Sequence, residues 1–255
     1  DLEYLAQTTY MLRRNSDAFA GGHWTPLIGS GADRVYVNSW NAGQKKIFTV
    51  LNMDYRGYTG PLFSPGDTTD RHLVSLFRHE ELTPSVINNT LAVSVDLPGW
   101  SQTYSGTRRE SSIDCIALLP RLINAEFRSN SLRVTSAASG TLLVSRGRPG
   151  YTNEPIRIKA PADTLFSADA LLGLAGEKIV IELTGSDGLL LDEKVVRPEQ
   201  GRPWLVSAIT RTLPAGEVPP GMVMVASATI KYTLKAVDEF VPYPGTGKEV
   251  TATPD

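Results

Sequence analysis

Ile179-Val180-Ile181-Glu182-Leu183 leads into Thr184-Gly185-Ser186-Asp187-Gly188 and on to Leu189-Leu190-Leu191-Asp192-Glu193-Lys194-Val195. Two short runs of β-branched and aliphatic residues flank a loop of turn formers, which is the pattern of a β-hairpin. Neither run has the 3.6-residue spacing of an amphipathic helix. Asp187 and the pair Asp192-Glu193 are expected on the solvated edge of that hairpin.

The same signature recurs upstream. Strands are expected at Ala125–Phe127, Leu132–Thr135, Thr141–Ser145, Pro155–Lys159 and Thr164–Ser167. With Lys178–Leu183 and Leu189–Val196 they make seven short strands within residues 121–197. That density suits an immunoglobulin-like sandwich, although the Cys–Trp–Cys hallmark is absent. Residues 22–120 read as an earlier β-sandwich. Arg34–Asn38 and Lys46–Asn52 are expected to flank a loop at Trp40-Asn41-Ala42-Gly43, and Asp54–Gly60, Leu73–Phe77 and Leu91–Leu97 follow. Ile113–Leu119 is a run of apolar residues broken only by Asp114, as expected of a strand covered on both faces.

Residues 1–21 are different. Leu2, Leu5, Thr9, Leu12, Ser16 and Phe19 fall near one helical face, and Gly21-Gly22 supplies a stop. The fold class expected is therefore mainly β: two β-sandwich-like domains, the second immunoglobulin-like, with one N-terminal amphipathic helix. Residues 198–255 read as a linker and the start of a further domain. In that segment one strand is expected to run from Pro219 to Leu234 without a successor. A lone helix in front and an opening strand behind give the chain the look of an excerpt from a longer protein.

Composition narrows the chemistry. The 255 residues are 41% hydrophobic and 20% charged, with a formal net charge of −2. This excludes a disordered chain and an electrostatically driven nucleic-acid binder. No run of 18 apolar residues is present, so no membrane-spanning helix is expected. One cysteine and three histidines exclude a cysteine-built zinc site and an internal disulfide.

His72 and His79 stand seven apart, a spacing that matches no zinc motif, and are expected at solvent-facing strand ends. His23, beside Trp24, reads as structural. Asp67 and Asp70 lie in a tight polar loop that would supply only part of the six to eight oxygens calcium takes. A calcium site there is the one cofactor considered, and a plain polar turn is favoured. No Gly-x-Ser-x-Gly elbow or phosphate-binding loop occurs. Cys115 lies inside an apolar run and is expected to be a buried, inert thiol. Asn88-Asn89-Thr90 fits a glycosylation acceptor. No catalytic residue and no metal-ligand set is identified. The remaining signal is aromatic: Trp24, Trp40, Tyr55, Tyr58, Trp100 and Tyr104 sit in or beside expected loops of residues 22–120. Such rings stack on sugar faces or anchor contacts between domains.

These residues carry a resemblance. Leu12-Arg13-Arg14-Asn15 with Asp17-Ala18-Phe19, Trp24-Thr25-Pro26-Leu27, Val35-Tyr36-Val37-Asn38-Ser39-Trp40 and Phe48-Thr49-Val50-Leu51-Asn52 resemble the junction between barrel and C-terminal β-domain in glycoside hydrolases of the α-amylase and melibiase type. Asp114-Cys115-Ile116-Ala117-Leu118-Leu119-Pro120 resembles the closing strand of that β-domain. In the tail, Pro219-Pro220-Gly221-Met222-Val223-Met224-Val225, together with Glu239-Phe240-Val241-Pro242-Tyr243-Pro244, resembles the opening of a formylglycine-generating-enzyme-like (sulfatase-modifying-factor) domain. That family's catalytic cysteines would lie downstream of these residues.

The resemblance implies a non-catalytic accessory region of a multidomain carbohydrate-active enzyme. Its helix 1–21 would end an upstream catalytic barrel, and no catalytic residue carries over to this chain. The implied partners are polysaccharide or the upstream catalytic domain of the same chain, and the implied location is secreted, cell-surface or periplasmic. The rival reading is a secreted or cell-surface β-sandwich that binds a protein through a sheet edge and has no carbohydrate role.

Overall fold

The computed structural model describes residues 2–99, 113–128, 131–167 and 178–197, together with 218, 220–224, 232–235 and 249–252. The chain divides into two units, Asp1–Gly201 and Arg202–Asp255. Among the described residues the fold is mainly β, with antiparallel sheets and two short helices, α1 (Leu2–Arg14) and α2 (Ser16–Ala20). Among the described residues no helix is long and apolar enough to cross a membrane.

The first unit begins with these helices and a six-stranded antiparallel sheet. In spatial order its strands are β1 (Trp24–Thr25), β2 (Val35–Ala42), β3 (Lys45–Asn52), β9 (Ile113–Pro120), β5 (Arg71–Ser75) and β6 (Glu80–Leu82). A second sheet, β4 (Tyr58–Phe63), β8 (Thr90–Leu97) and β7 (Ser85–Ile87), covers one of its faces. Val35, Val37, Phe48, Val50, Leu73, Ile116 and Leu118 on the large sheet meet Leu62, Phe63, Val93, Val95 and Leu97 on the small one. The alternation of buried and exposed positions along β8 follows from that one-sided cover. Asn88 and Asn89, at φ 49° and 60°, make the two-residue turn from β7 to β8. Asparagine tolerates positive φ at both central positions of such hairpin turns.

Five strands form the third sheet: β10 (Asn124–Arg128), β11 (Ser131–Arg146), β12 (Ile156–Ser167), β13 (Ile179–Thr184) and β14 (Leu190–Val196). The hairpin expected from the sequence is present as β13–β14. The segments expected as separate strands at Leu132–Thr135 and Thr141–Ser145 are one strand, β11, and those at Pro155–Lys159 and Thr164–Ser167 are one strand, β12. The short side chains from Ser136 to Gly140 form a bulge inside the β11–β12 ladder rather than a turn that ends it. Leu132 and Val134 before the bulge share a core with Leu142, Val144, Ile179, Ile181 and Leu183 beyond it.

A third core joins these parts. Met11 and Ala18 of the helices, Ile47, Val74, Cys115, Ala117 and Leu119 of the large sheet, and Val180, Leu190 and Val195 of β13–β14 pack together. Residues on both sides of Gly21 and of Pro120 thus belong to one apolar cluster. Every side chain of β13 is buried because its two faces belong to different cores.

The face that α1 buries differs from expectation. Tyr4 packs edge-on against Phe77, Met11 and Asn15 are buried, and Gln7 donates to the Phe77 carbonyl at 2.5 Å. Leu2, Leu5 and Leu12, read from their spacing as the buried stripe, are 84%, 61% and 42% exposed. Two apolar edges compete on this helix, and the one carrying an aromatic ring and hydrogen-bonding groups that match the Phe77 turn lies inward.

In the second unit, β15 (Tyr232–Lys235) pairs antiparallel with β16 (Glu249–Ala252). The strand expected from Pro219 to Leu234 is therefore corrected in two ways. Pro220-Gly221 is a turn and Met222–Met224 is exposed non-strand chain, while β15 does have a successor.

Candidate functional site

The aromatic candidates divide between the two sides of the large sheet. Trp40, expected in a loop, lies within β2, because the turn to β3 tightens to Gly43-Gln44. Trp24 is its cross-strand partner, and the two rings stack at 5.1 Å and 15°. Phe19 of α2 meets the Trp40 ring edge-on at 5.3 Å, and the indole N–H donates to Thr49 Oγ1 at 3.2 Å. Trp40 is thereby held on both sides, whereas Trp24 is 49% exposed and presents the outer surface of the stack. Tyr58 packs against the core on the opposite face of the sheet, and its hydroxyl donates to the Pro61 carbonyl. Tyr55 is exposed beneath the Arg56 guanidinium, 5.1 Å from the ring centre. Trp100 and Tyr104 lie outside the described residues.

The Asp67–Asp70 loop is closed by its own chain, with Asp67 Oδ1 accepting the Thr69 N–H at 2.9 Å. That bond holds the Asp67 carboxyl below its ordinary value. Among the described residues, no three histidine, cysteine or carboxylate side chains gather as a metal site.

From the sequence, His72, His79, Asp192 and Glu193 are expected at solvent-facing ends and edges. The structure corrects this, since all four are buried between the large sheet and β14. His72 Nε2 lies 2.6 Å from Asp192 Oδ1 and its Nδ1 lies 3.0 Å from Glu81 Oε2. Asp192 Oδ2 also accepts the N–H groups of Leu122 and Ile123, both at 2.8 Å. His79 Nδ1 is 2.8 Å from Glu193 Oε1, and Lys178 donates to the Arg78 and His79 carbonyls. Asp192 and Glu193 lie 120 and 114 residues from the histidines they hold, so no local spacing signals those pairs.

Two further charges complete this layer. Lys45 donates to Asn15 Oδ1 (3.1 Å), Asp17 Oδ1 (2.9 Å) and the Leu190 carbonyl (2.9 Å), tying β3 to α2 and β14. Glu182 accepts the Tyr10 hydroxyl at 2.7 Å and faces Arg14 at 3.9 Å.

Burial and pairing then compete. Burial alone would lower the His72 pKa, but the bonds to Asp192 and Glu81 outweigh it and raise the value to about 9. Burial, and then repulsion from Glu193, push Glu182 up to about 7. Burial lowers Lys45 and raises both Asp114 and the Cys115 thiol. Cys115 is the buried thiol expected from its apolar run. His72 hydrogen-bonds two carboxylates with its two ring nitrogens, so both carry protons and neither offers a lone pair. It is a clasp between strands, a geometry that suits neither a general base nor a metal ligand.

No known family model matches the chain, and no curated protein matches it. Among solved structures, it is similar to the Gamma-CGTase of alkalophilic Bacillus clarkii. The likeness is 13% in sequence identity with a TM-score of 0.25, over 71% of this chain and 27% of that one.

Proposed function

We propose that this chain is a non-catalytic accessory β-region of a glycoside hydrolase-like multidomain protein. It would brace the catalytic domain of the same polypeptide and contact polysaccharide through the Trp24–Trp40 stack. The observation that carries this reading is the uncovered row Leu2, Leu5 and Leu12 on α1, whose other face is fixed to the core. Covering one leucine contributes about 1.5–3 kcal/mol, so three on one helix make a sizeable docking edge. The sequence resemblance in residues 1–63 and 114–120 supplies the class of partner. A secreted or cell-surface location follows from that resemblance alone.

The test is calorimetry of the whole gene product with Leu5→Asp and Leu12→Asp together. Both residues are exposed in this chain, so its own stability should change by less than about 1 kcal/mol. Catalytic and accessory transitions that coincide in the unaltered protein should separate in the variant. Coincident transitions in both proteins would remove the docking role.

A second reading, a protein-interaction module, rests on β12. Among the described residues this strand pairs with β11 alone, and it exposes Ile156 and Leu165. An open edge of this kind accepts an added strand.

A further inference from the structure

Away from the tryptophan stack, a cleft of about 700 Å³ lies between the C-terminal half of α1, the loop from β11 to β12, and the β13–β14 turn. Its volume is within the range of small-ligand sites, roughly 300–1,000 Å³. Tyr10 and Arg14 make a fixed floor. The Tyr10 hydroxyl donates to Glu182 and accepts from Arg14 at 3.1 Å, while Arg14 also donates to the Gly188 carbonyl at 2.9 Å. Burial and the neighbouring Glu182 keep that hydroxyl protonated. Tyr151 stands on this floor, 5.5 Å from the Tyr10 ring and edge-on to it, and is 55% exposed. The Arg13 guanidinium sits 5.9 Å over its ring.

The walls carry charge of both signs. Arg157 and Glu154 are exposed on the lining, and among the described residues neither forms an ion pair. Asp187 lines the opposite side, with Oδ1 accepting the Leu189 N–H at 3.0 Å. An anionic ligand would meet Glu154 and Asp187, and a cationic one would meet Arg13, Arg14 and Arg157. A neutral ligand rich in hydroxyl groups uses both signs, because each hydroxyl donates to a carboxylate and accepts from a guanidinium. The part-exposed Tyr151 ring supplies a rigid apolar surface for the C–H face of such a ligand.

We infer that this cleft binds a neutral oligosaccharide, with Tyr151 as the stacking platform and Arg157 and Glu154 as the hydroxyl-reading pair. The inference rests on the carbohydrate reading above and places a saccharide site apart from Trp24. Titration calorimetry with maltohexaose, cellohexaose and xylohexaose, and with an oligogalacturonate as the acidic arm, tests it. At least one neutral hexasaccharide should bind. Tyr151→Ala and Arg157→Ala should each weaken that binding by about tenfold or more, while Tyr151→Phe, and Val86→Ala on the exposed β7 strand, leave it intact. The altered residues are solvent-exposed, and unchanged circular dichroism will confirm that each variant folds. Loss of binding in Trp24→Ala alone would overturn the cleft and leave the tryptophan contact standing. Binding of none of the neutral sugars, or tighter binding of the oligogalacturonate than of any of them, would also overturn it.

Discussion

His72 gives the sharpest quantitative expectation. Its pKa rises from an ordinary 6.5 to about 9 in the folded chain. Each pKa unit corresponds to about 1.4 kcal/mol between protonation states, so the clasp contributes about 3 kcal/mol while the imidazolium persists. The side chain is 5% exposed, so solvent does little to screen it. A group whose folded pKa is raised binds more protons in the folded state than in the unfolded one. The contribution is therefore complete below about pH 6.5 and disappears as pH rises through about 9.

Glu182 has the same sign, but its window lies lower, between its ordinary value of 4.5 and about 7. The lowered Lys45 and Lys178 act in the opposite sense, toward the alkaline limit. Urea unfolding followed by tryptophan fluorescence from pH 7 to 9.5 isolates His72 when the protein is compared with His72→Gln. The unaltered chain should lose most of the ~3 kcal/mol across that interval, and the difference between the two proteins should shrink accordingly. At pH 7 the variant should be less stable by about 3–5 kcal/mol, the cost of leaving buried carboxylates without their cation. A flat profile in the unaltered protein, or an equal fall in the variant, would show that His72 is not held charged by Asp192 and Glu81.

Two further outcomes follow from close packing. A Cβ added at Gly140 would fall 2.4 Å from the Thr184 carbonyl oxygen, so Gly140→Ala must shift the β11 bulge. It should cost about 1–3 kcal/mol by urea unfolding, and an unchanged midpoint would mean that the bulge yields freely. The Cys115 thiol is buried and its pKa is raised by burial and by Asp114. It should resist a disulfide reagent until the chain unfolds, and rapid labelling of the native protein would contradict the packing of β9.

Much of the fold was legible because β-structure leaves a local imprint. Leu91, Val93, Val95 and Leu97 alternate because one face of β8 is covered, and Ile113–Leu119 is apolar apart from Asp114 because β9 has a core on each side. The β13–β14 hairpin was legible from its turn. The site was far less legible. Asp192 and Glu193 look like a solvated hairpin edge until a second sheet lies against them. The pairing of Trp24 with Trp40 depends on the register of β1 on β2, and the Tyr10–Tyr151 cleft depends on a helix and a loop far apart in the chain.

The sequence by itself determined which segments extend, where most of them turn, and that no cysteine-built metal site exists here. Tertiary structure decided which edge of α1 lies inward, whether short strands fuse across a bulge, and whether a histidine is a surface group or a buried cation. The division has a physical cause. Strand and turn preferences act over a few residues, whereas burial and ionisation depend on whatever arrives from across the fold. For His72 that is Asp192, 120 residues further along the chain.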